Sequence, residues 1–69
     1  MVKITLNGKK EELGAELSVE ALLKNKNIRP EVVTVELNDR ILTRAEFQKT
    51  IIKDNDSVEF VYFMGGGKK

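Results

Sequence analysis

The chain of 69 residues has no cysteine and no histidine. Without cysteine there is no disulfide framework and no thiol nucleophile, and without histidine there is no imidazole base. Losing both also removes the usual zinc ligands. An excess of one charge is missing as well: 12 basic and 11 acidic residues are interspersed, for a net charge of +1. Phosphate binding needs a concentrated basic stripe, so nucleic acid is not expected as a partner. No apolar run approaches the roughly 18 residues of a membrane span, and the first residues form no apolar signal region. No membrane partner is expected, and the cytoplasm is the expected compartment. What is present is an ordinary globular composition, 41% hydrophobic and 33% charged, too apolar for a disordered chain. At this length the expectation is a single, well-packed domain near the lower limit of self-sufficiency, monomeric on its own.

Val2, Ile4 and Leu6 alternate with Lys3, Thr5 and Asn7, the period of two expected of a half-buried strand. Asn7-Gly8 follows, a hairpin signal because a type I′ turn needs positive φ at both central residues. A return strand is expected over residues 9–13, broken by Gly14. Ser18 is placed to cap a helix, with Glu20 at the positive end of its dipole and Leu17 stapling onto Leu22. Val19, Leu22, Leu23 and Lys26 share one helical face, with Leu23 deepest, and the helix should end within residues 25–27. Pro30 is expected to forbid a helical restart, with Ile28 folding back on the core. Residues 32–37 are rich in β-branched side chains and place Val33, Val35 and Leu37 on one face. Asn38-Asp39 supplies a turn into a short strand over residues 40–42. Thr43 then caps a single turn anchored by Phe47, and Ile51-Ile52 and the Asp54-Asn55-Asp56 turn lead to a last strand over residues 57–63.

Side-chain chemistry is sparse. Ser18 has no base to activate it and reads as a cap. Asp54 and Asp56 could be paired carboxylates, but their setting between two strands reads as a turn. The lysines read as solvated faces. No catalytic side chain and no metal site are expected. The remaining feature is the ending Phe63-Met64-Gly65-Gly66-Gly67-Lys68-Lys69. Glycine lacks a Cβ and threads narrow channels, and three glycines extend by about 10 Å. Such an arm could deliver a main-chain carboxylate to another protein, or it could be a frayed terminus.

The segments "VTVELNDRILTRAEF" and "DNDSVEFVYFMGGG", with the Leu6-Asn7-Gly8 hairpin and the Ser-Val helix start, resemble the ThiS family, the sulfur carriers of thiamine biosynthesis. The likeness spans nearly the whole chain, and its most specific element is the glycine run directly after an apolar last strand. It implies an α+β, ubiquitin-like β-grasp fold: a mixed sheet of four to five strands packed on one helix, with the first and last strands parallel at its centre. Residues 1–64 would form the domain and residues 65–69 a flexible arm.

The resemblance also implies a mechanism. An adenylyltransferase of the ubiquitin-activating, E1-like type uses ATP and magnesium to adenylate the carboxylate of the terminal glycine. Sulfur from a cysteine desulfurase or another donor then converts it to a thiocarboxylate, and thiazole synthase accepts that sulfur. The chain itself binds no cofactor on this reading and is a carrier rather than an enzyme. Gly67 or Gly66 would carry the sulfur, at the end of the Gly65-Gly66-Gly67 arm. Val61, Phe63 and Met64 would meet the partner. Lys68 and Lys69 depart from the family pattern, because they put the Gly67 carbonyl in a peptide bond; a peptidase that removes them is then a further partner. Two other functions fit the residues. One is a carrier for a different pathway, such as molybdopterin, another sulfur metabolite or tRNA thiolation, and the other is a ubiquitin-like binding module with an inert tail.

Overall fold

The last strand of the chain lies in the middle of the sheet. In the computed structural model, which describes residues 1–62, five strands are ordered β2-β1-β7-β4-β5. These are β1 (Val2–Leu6), β2 (Lys9–Leu13), β4 (Val33–Leu37), β5 (Arg40–Leu42) and β7 (Ser57–Tyr62). A separate pair, β3 (Leu17–Ser18) and β6 (Ile51–Ile52), runs antiparallel beside the helix α1 (Val19–Asn25). β1 and β7 are parallel, with Thr5 opposite Ser57 and Leu6 opposite Val58, while β2, β4 and β5 add antiparallel neighbours. The expected α+β, β-grasp arrangement is therefore present, with five strands in the main sheet. The sequence pattern extends the last strand to residue 63, and Phe63 lies outside the described residues.

The core follows the strand alternation. Val2, Ile4 and Leu6 of β1, Val33 and Val35 of β4, and Val58 and Phe60 of β7 are buried against Val19, Leu22 and Leu23 of the helix. Leu13, Leu42, Phe47 and Ile52 close its margins, and no polar side chain is buried among the described residues. A core with this many fully buried aliphatic side chains supplies the stabilisation that a small domain without disulfides needs.

At seven residues, α1 is too short to persist alone, and its ends are tied down by local caps and, at the N-terminus, by tertiary bonds. The Ser18 hydroxyl accepts from Ala21 N–H at 3.0 Å. The N–H groups of Val19 and Glu20 donate to the carbonyls of Thr50 and Phe47. At the other end Asn27 adopts φ 60°, and the N–H groups of Asn27 and Ile28 donate to Lys24 and Leu23, a Schellman closure. Ile28 packs on the core, as expected. Lys26 does not belong to the apolar face. It is exposed, caps the helix, and its ammonium pairs with Glu11 of β2.

Two further departures have local causes. Pro30 opens a 3-10 turn, Pro30–Val32, instead of forbidding one. At the first helical position its missing N–H is one that no helix would use, and its fixed φ suits the turn. The β3–β6 pair was not expected at all, because two residues carry no readable alternation. The Thr43 turn forms as read, with the Thr43 N–H donating to Glu46 Oε1 at 2.8 Å. That backbone bond, together with the charge of Arg40, holds the Glu46 carboxyl below its ordinary pKa.

Asn7 joins the first hairpin to the last strand. β1 stops at Leu6, yet the Asn7 N–H donates to the Val58 carbonyl at 2.9 Å and the Phe60 N–H donates to Asn7 Oδ1 at 2.8 Å. The side chain thus adds one rung to the parallel ladder after the backbone has turned away at φ 52°. Asn7→Gly keeps that backbone conformation and removes the rung, so it should destabilise the domain by about 1–2 kcal/mol. Asn7→Ala should cost about 1 kcal/mol more, from left-handed strain. Urea unfolding at unchanged m-value measures both, and a neutral Asn7→Gly would contradict the role.

Candidate functional site

One helix covers one face of the sheet, and among the described residues no second layer covers the other. Strand alternation assigns Thr34 and Glu36 of β4, Ile41 of β5, and Glu59 and Val61 of β7 to that open face, opposite the buried Val33, Val35, Val58 and Phe60. Val61 is 50% exposed and Ile41 63% exposed, large apolar side chains that a folded core would normally claim. Val61 stands directly opposite Thr34, and one rung further along Glu59 stands opposite Glu36. Glu36 in turn faces Ile41. The result is an acidic rung between two apolar side chains.

Tyr62 shares the parity of Val58 and Phe60 but is 52% exposed. Its cross-strand partner is Val33, the first residue of β4, so the strand is there running out of cover. The β7 edge facing β1 also changes along its length. Ser57 and Val58 are paired, Phe60 is held by Asn7, and no further backbone ladder bond to β1 follows among the described residues. The segment that leads towards the glycines is thus anchored on one side by β4 and open on the other.

Of the residues singled out from sequence, Val61 is on the open face. Phe63, Met64, Gly65, Gly66 and Gly67 lie outside the described residues, as does the whole segment 65–69. Ser18 is engaged as the helix cap. Asp54 and Asp56 are engaged in their turn: Asp54 Oδ1 accepts from Lys3 N–H at 2.7 Å, and Asp56 Oδ2 accepts from Lys53 N–H at 2.8 Å. The second Asp56 oxygen accepts from the Asn38 amide at 3.0 Å. Asn38 Oδ1 accepts from Ser57 N–H, so this network fixes the start of β7. No group of three or more potential metal ligands converges among the described residues.

Sequence reading missed Glu36, Glu59 and Ile41. Each was visible as the off-beat position of a strand, but their grouping depends on the β4–β7 register, which no local pattern carries. A shallow groove of about 350 Å³ lies on the helix side of the sheet, lined by the polar Glu20, Glu31, Arg44 and Gln48 together with Pro30 and Phe47.

A ubiquitin-like β-grasp domain, with a central last strand whose sequence runs on into three glycines, defines the class. The sequence matches the ThiS family over residues 3–67, and the chain belongs to that family. The crystal structure of the thiamine biosynthesis protein ThiS from Geobacter metallireducens superimposes with a TM-score of 0.84 at 48% identity, covering 96% of this chain and all of that one. A thiazole synthase of Magnetococcus marinus is 34% identical over 67 residues; the match takes in 97% of this chain but only 21% of the synthase. The ycf40 protein of Pyropia yezoensis is 33% identical over 66 residues, covering 96% and 93% of the two chains. This chain therefore spans about a fifth of the length of the thiazole synthase that it matches.

The two faces of β7 make different demands on substitution. Phe60→Ala, beneath the helix, should cost about 3–5 kcal/mol. Val61→Thr, next in sequence but on the open face, should stay within about 0.5 kcal/mol of wild type. Thermal or urea unfolding of the two variants checks the assignment, and equal losses would contradict it.

Proposed function

We propose that this protein is a sulfur carrier, a co-substrate rather than an enzyme, whose reactive group is the main-chain carboxylate of Gly67. The observation that carries the reading is the extent of the family match. It runs through the whole domain and the three glycines and ends on Gly67, leaving out Lys68 and Lys69. The architecture supports it: a strand bonded on both sides over its first half is a firm base for an arm that must enter another protein. The sparse side-chain chemistry is consistent with a group that needs no side chain.

The chemistry proceeds on partner proteins. Hydrolysis of the Gly67–Lys68 bond by a peptidase frees the Gly67 carboxylate. A carboxylate is a poor electrophile. An adenylyltransferase using ATP and magnesium joins it to AMP and releases pyrophosphate, giving the acyl carbon a good leaving group. The outer sulfur of a persulfide, formed by a cysteine desulfurase, attacks that carbon and expels AMP, leaving an acyl disulfide. A second thiol attacks the donor's sulfur, forms a disulfide with it and releases the thiocarboxylate. Glycine at the last positions lets the arm reach both active sites in an extended conformation. Val61, Phe63 and Met64 are assigned to contact with the partner at the root of the arm.

Thiazole synthase is the acceptor this reading favours. The match of nearly this whole chain to one segment of proteins named thiazole synthase supports it, because a carrier and the enzyme it feeds gain from being held together. The cytoplasm is the assigned compartment; no helix among the described residues is long and apolar enough to cross a membrane.

The test is incubation of the form ending at Gly67 with the adenylyltransferase, ATP, magnesium and a persulfide donor. The expected product is heavier by the difference between one sulfur and one oxygen, and the gain should vanish when the chain ends at Gly65. No gain in the Gly67 form would overturn the reading in favour of a binding module.

A further inference from the structure

Asn7, which adds the side-chain rung between the first hairpin and β7, is also the one asparagine in the chain that a glycine follows. The backbone nitrogen after an asparagine can attack the carbonyl carbon of its side-chain amide, and the residue that bears this nitrogen sets how crowded the attack is. Lys26, Ile28, Asp39 and Asp56 follow Asn25, Asn27, Asn38 and Asn55, and each brings a side chain against it. Gly8 brings none, and no atom lies within 4 Å of where its Cβ would stand. Asn7 is exposed to water, and the Phe60 N–H that donates to its Oδ1 at 2.8 Å draws electron density from Cγ.

The native turn withholds the reaction. Asn7 at φ 52° and Gly8 at φ 83° fit a type I′ turn, in which ψ of the first central residue is about +30°. That angle turns the Gly8 nitrogen away from the Asn7 side chain, and ring closure needs a large rotation of ψ. The rotation is barred while Leu6 and Lys9 stay paired and Asn7 keeps its bonds to Val58 and Phe60.

We propose that Asn7 is a site of spontaneous covalent modification, gated by this turn, and that its isoaspartyl product releases β7 from the side-chain rung. When the turn opens, the Gly8 nitrogen bonds to Asn7 Cγ, the Cγ–Nδ2 bond breaks, and ammonia leaves with the Gly8 proton. The product is a succinimide, which water opens at either carbonyl. Opening at Cγ gives aspartate, whose carboxylate still accepts from Phe60 N–H and does so with a full charge. Opening at the main-chain carbonyl gives isoaspartate. The backbone then runs through Cβ and Cγ, one methylene longer, and the side-chain oxygen that formed the rung has become a peptide carbonyl. A two-residue turn no longer closes Leu6 on Lys9, so the opening that permitted the reaction becomes permanent.

The experiment ages the full chain at mildly alkaline pH, folded and in urea. Intact mass detects NH2 exchanged for OH, peptide mapping locates it, and an isoaspartyl carboxyl methyltransferase used as a probe counts the isoaspartyl fraction. Modification should fall on Asn7 before any other asparagine and run about tenfold or more slower in the folded protein. In urea, Gly8→Ala should slow it by about tenfold or more, because a Cβ crowds the attacking nitrogen. The isolated isoaspartyl form should melt lower by about 4 °C or more, whereas Asn7→Asp should melt no lower than wild type. Equal rates folded and unfolded would overturn the gate. Earlier modification of another asparagine, or an isoaspartyl form as stable as wild type, would overturn the site or the release of β7.

Discussion

The fold depends on bonding its last strand on both edges. β7 meets β4 over five residue pairs on one side, but β1 over only two on the other. The short parallel ladder is completed by Asn7, whose backbone and side chain each contribute a hydrogen bond after the chain has entered its turn. The start of the strand is fixed independently by Asn38 and Asp56, which bond across from two other turns. Three turns far apart in sequence therefore converge on one strand. The hairpin, the helix crossover and the β4–β5 pair are all arranged around its position.

A second consequence comes from layer number. A sheet with a single helix buries one face, and this chain has spent its aliphatic residues there. The opposite face could have been wholly polar, as solubility favours. Instead it keeps Val61 and Ile41 exposed and places Glu36 against Glu59. Neither choice strengthens the free domain.

Much of this was legible in sequence because the signals were local. The alternation of Val2, Ile4 and Leu6, the Asn7-Gly8 turn, the Ser18 cap and the Thr43 turn each need only a few neighbouring residues to be read, and each forms in the structure. The β-grasp order followed from these elements once the resemblance to a known family supplied the topology. The misreadings were long-range or positional. The β3–β6 pair joins dipeptides more than 30 residues apart and has no pattern of its own. Lys26 falls at a core-facing helical spacing but lies just past the last turn, where its side chain reaches Glu11 instead. Glu36 and Glu59 are ordinary solvent-facing strand residues until the register sets them opposite each other. Local chemistry announces elements, whereas a surface is made by the pairing between them.

The central claim is that the chain works through the carboxylate of Gly67. Intact-mass analysis of the protein isolated from its own cells under conditions that preserve thioacids tests it most directly. The account predicts chains ending at Gly67, part of them carrying sulfur in place of one terminal oxygen. A cellular population in which Gly67 remains joined to Lys68, with no sulfur-bearing form, would contradict it.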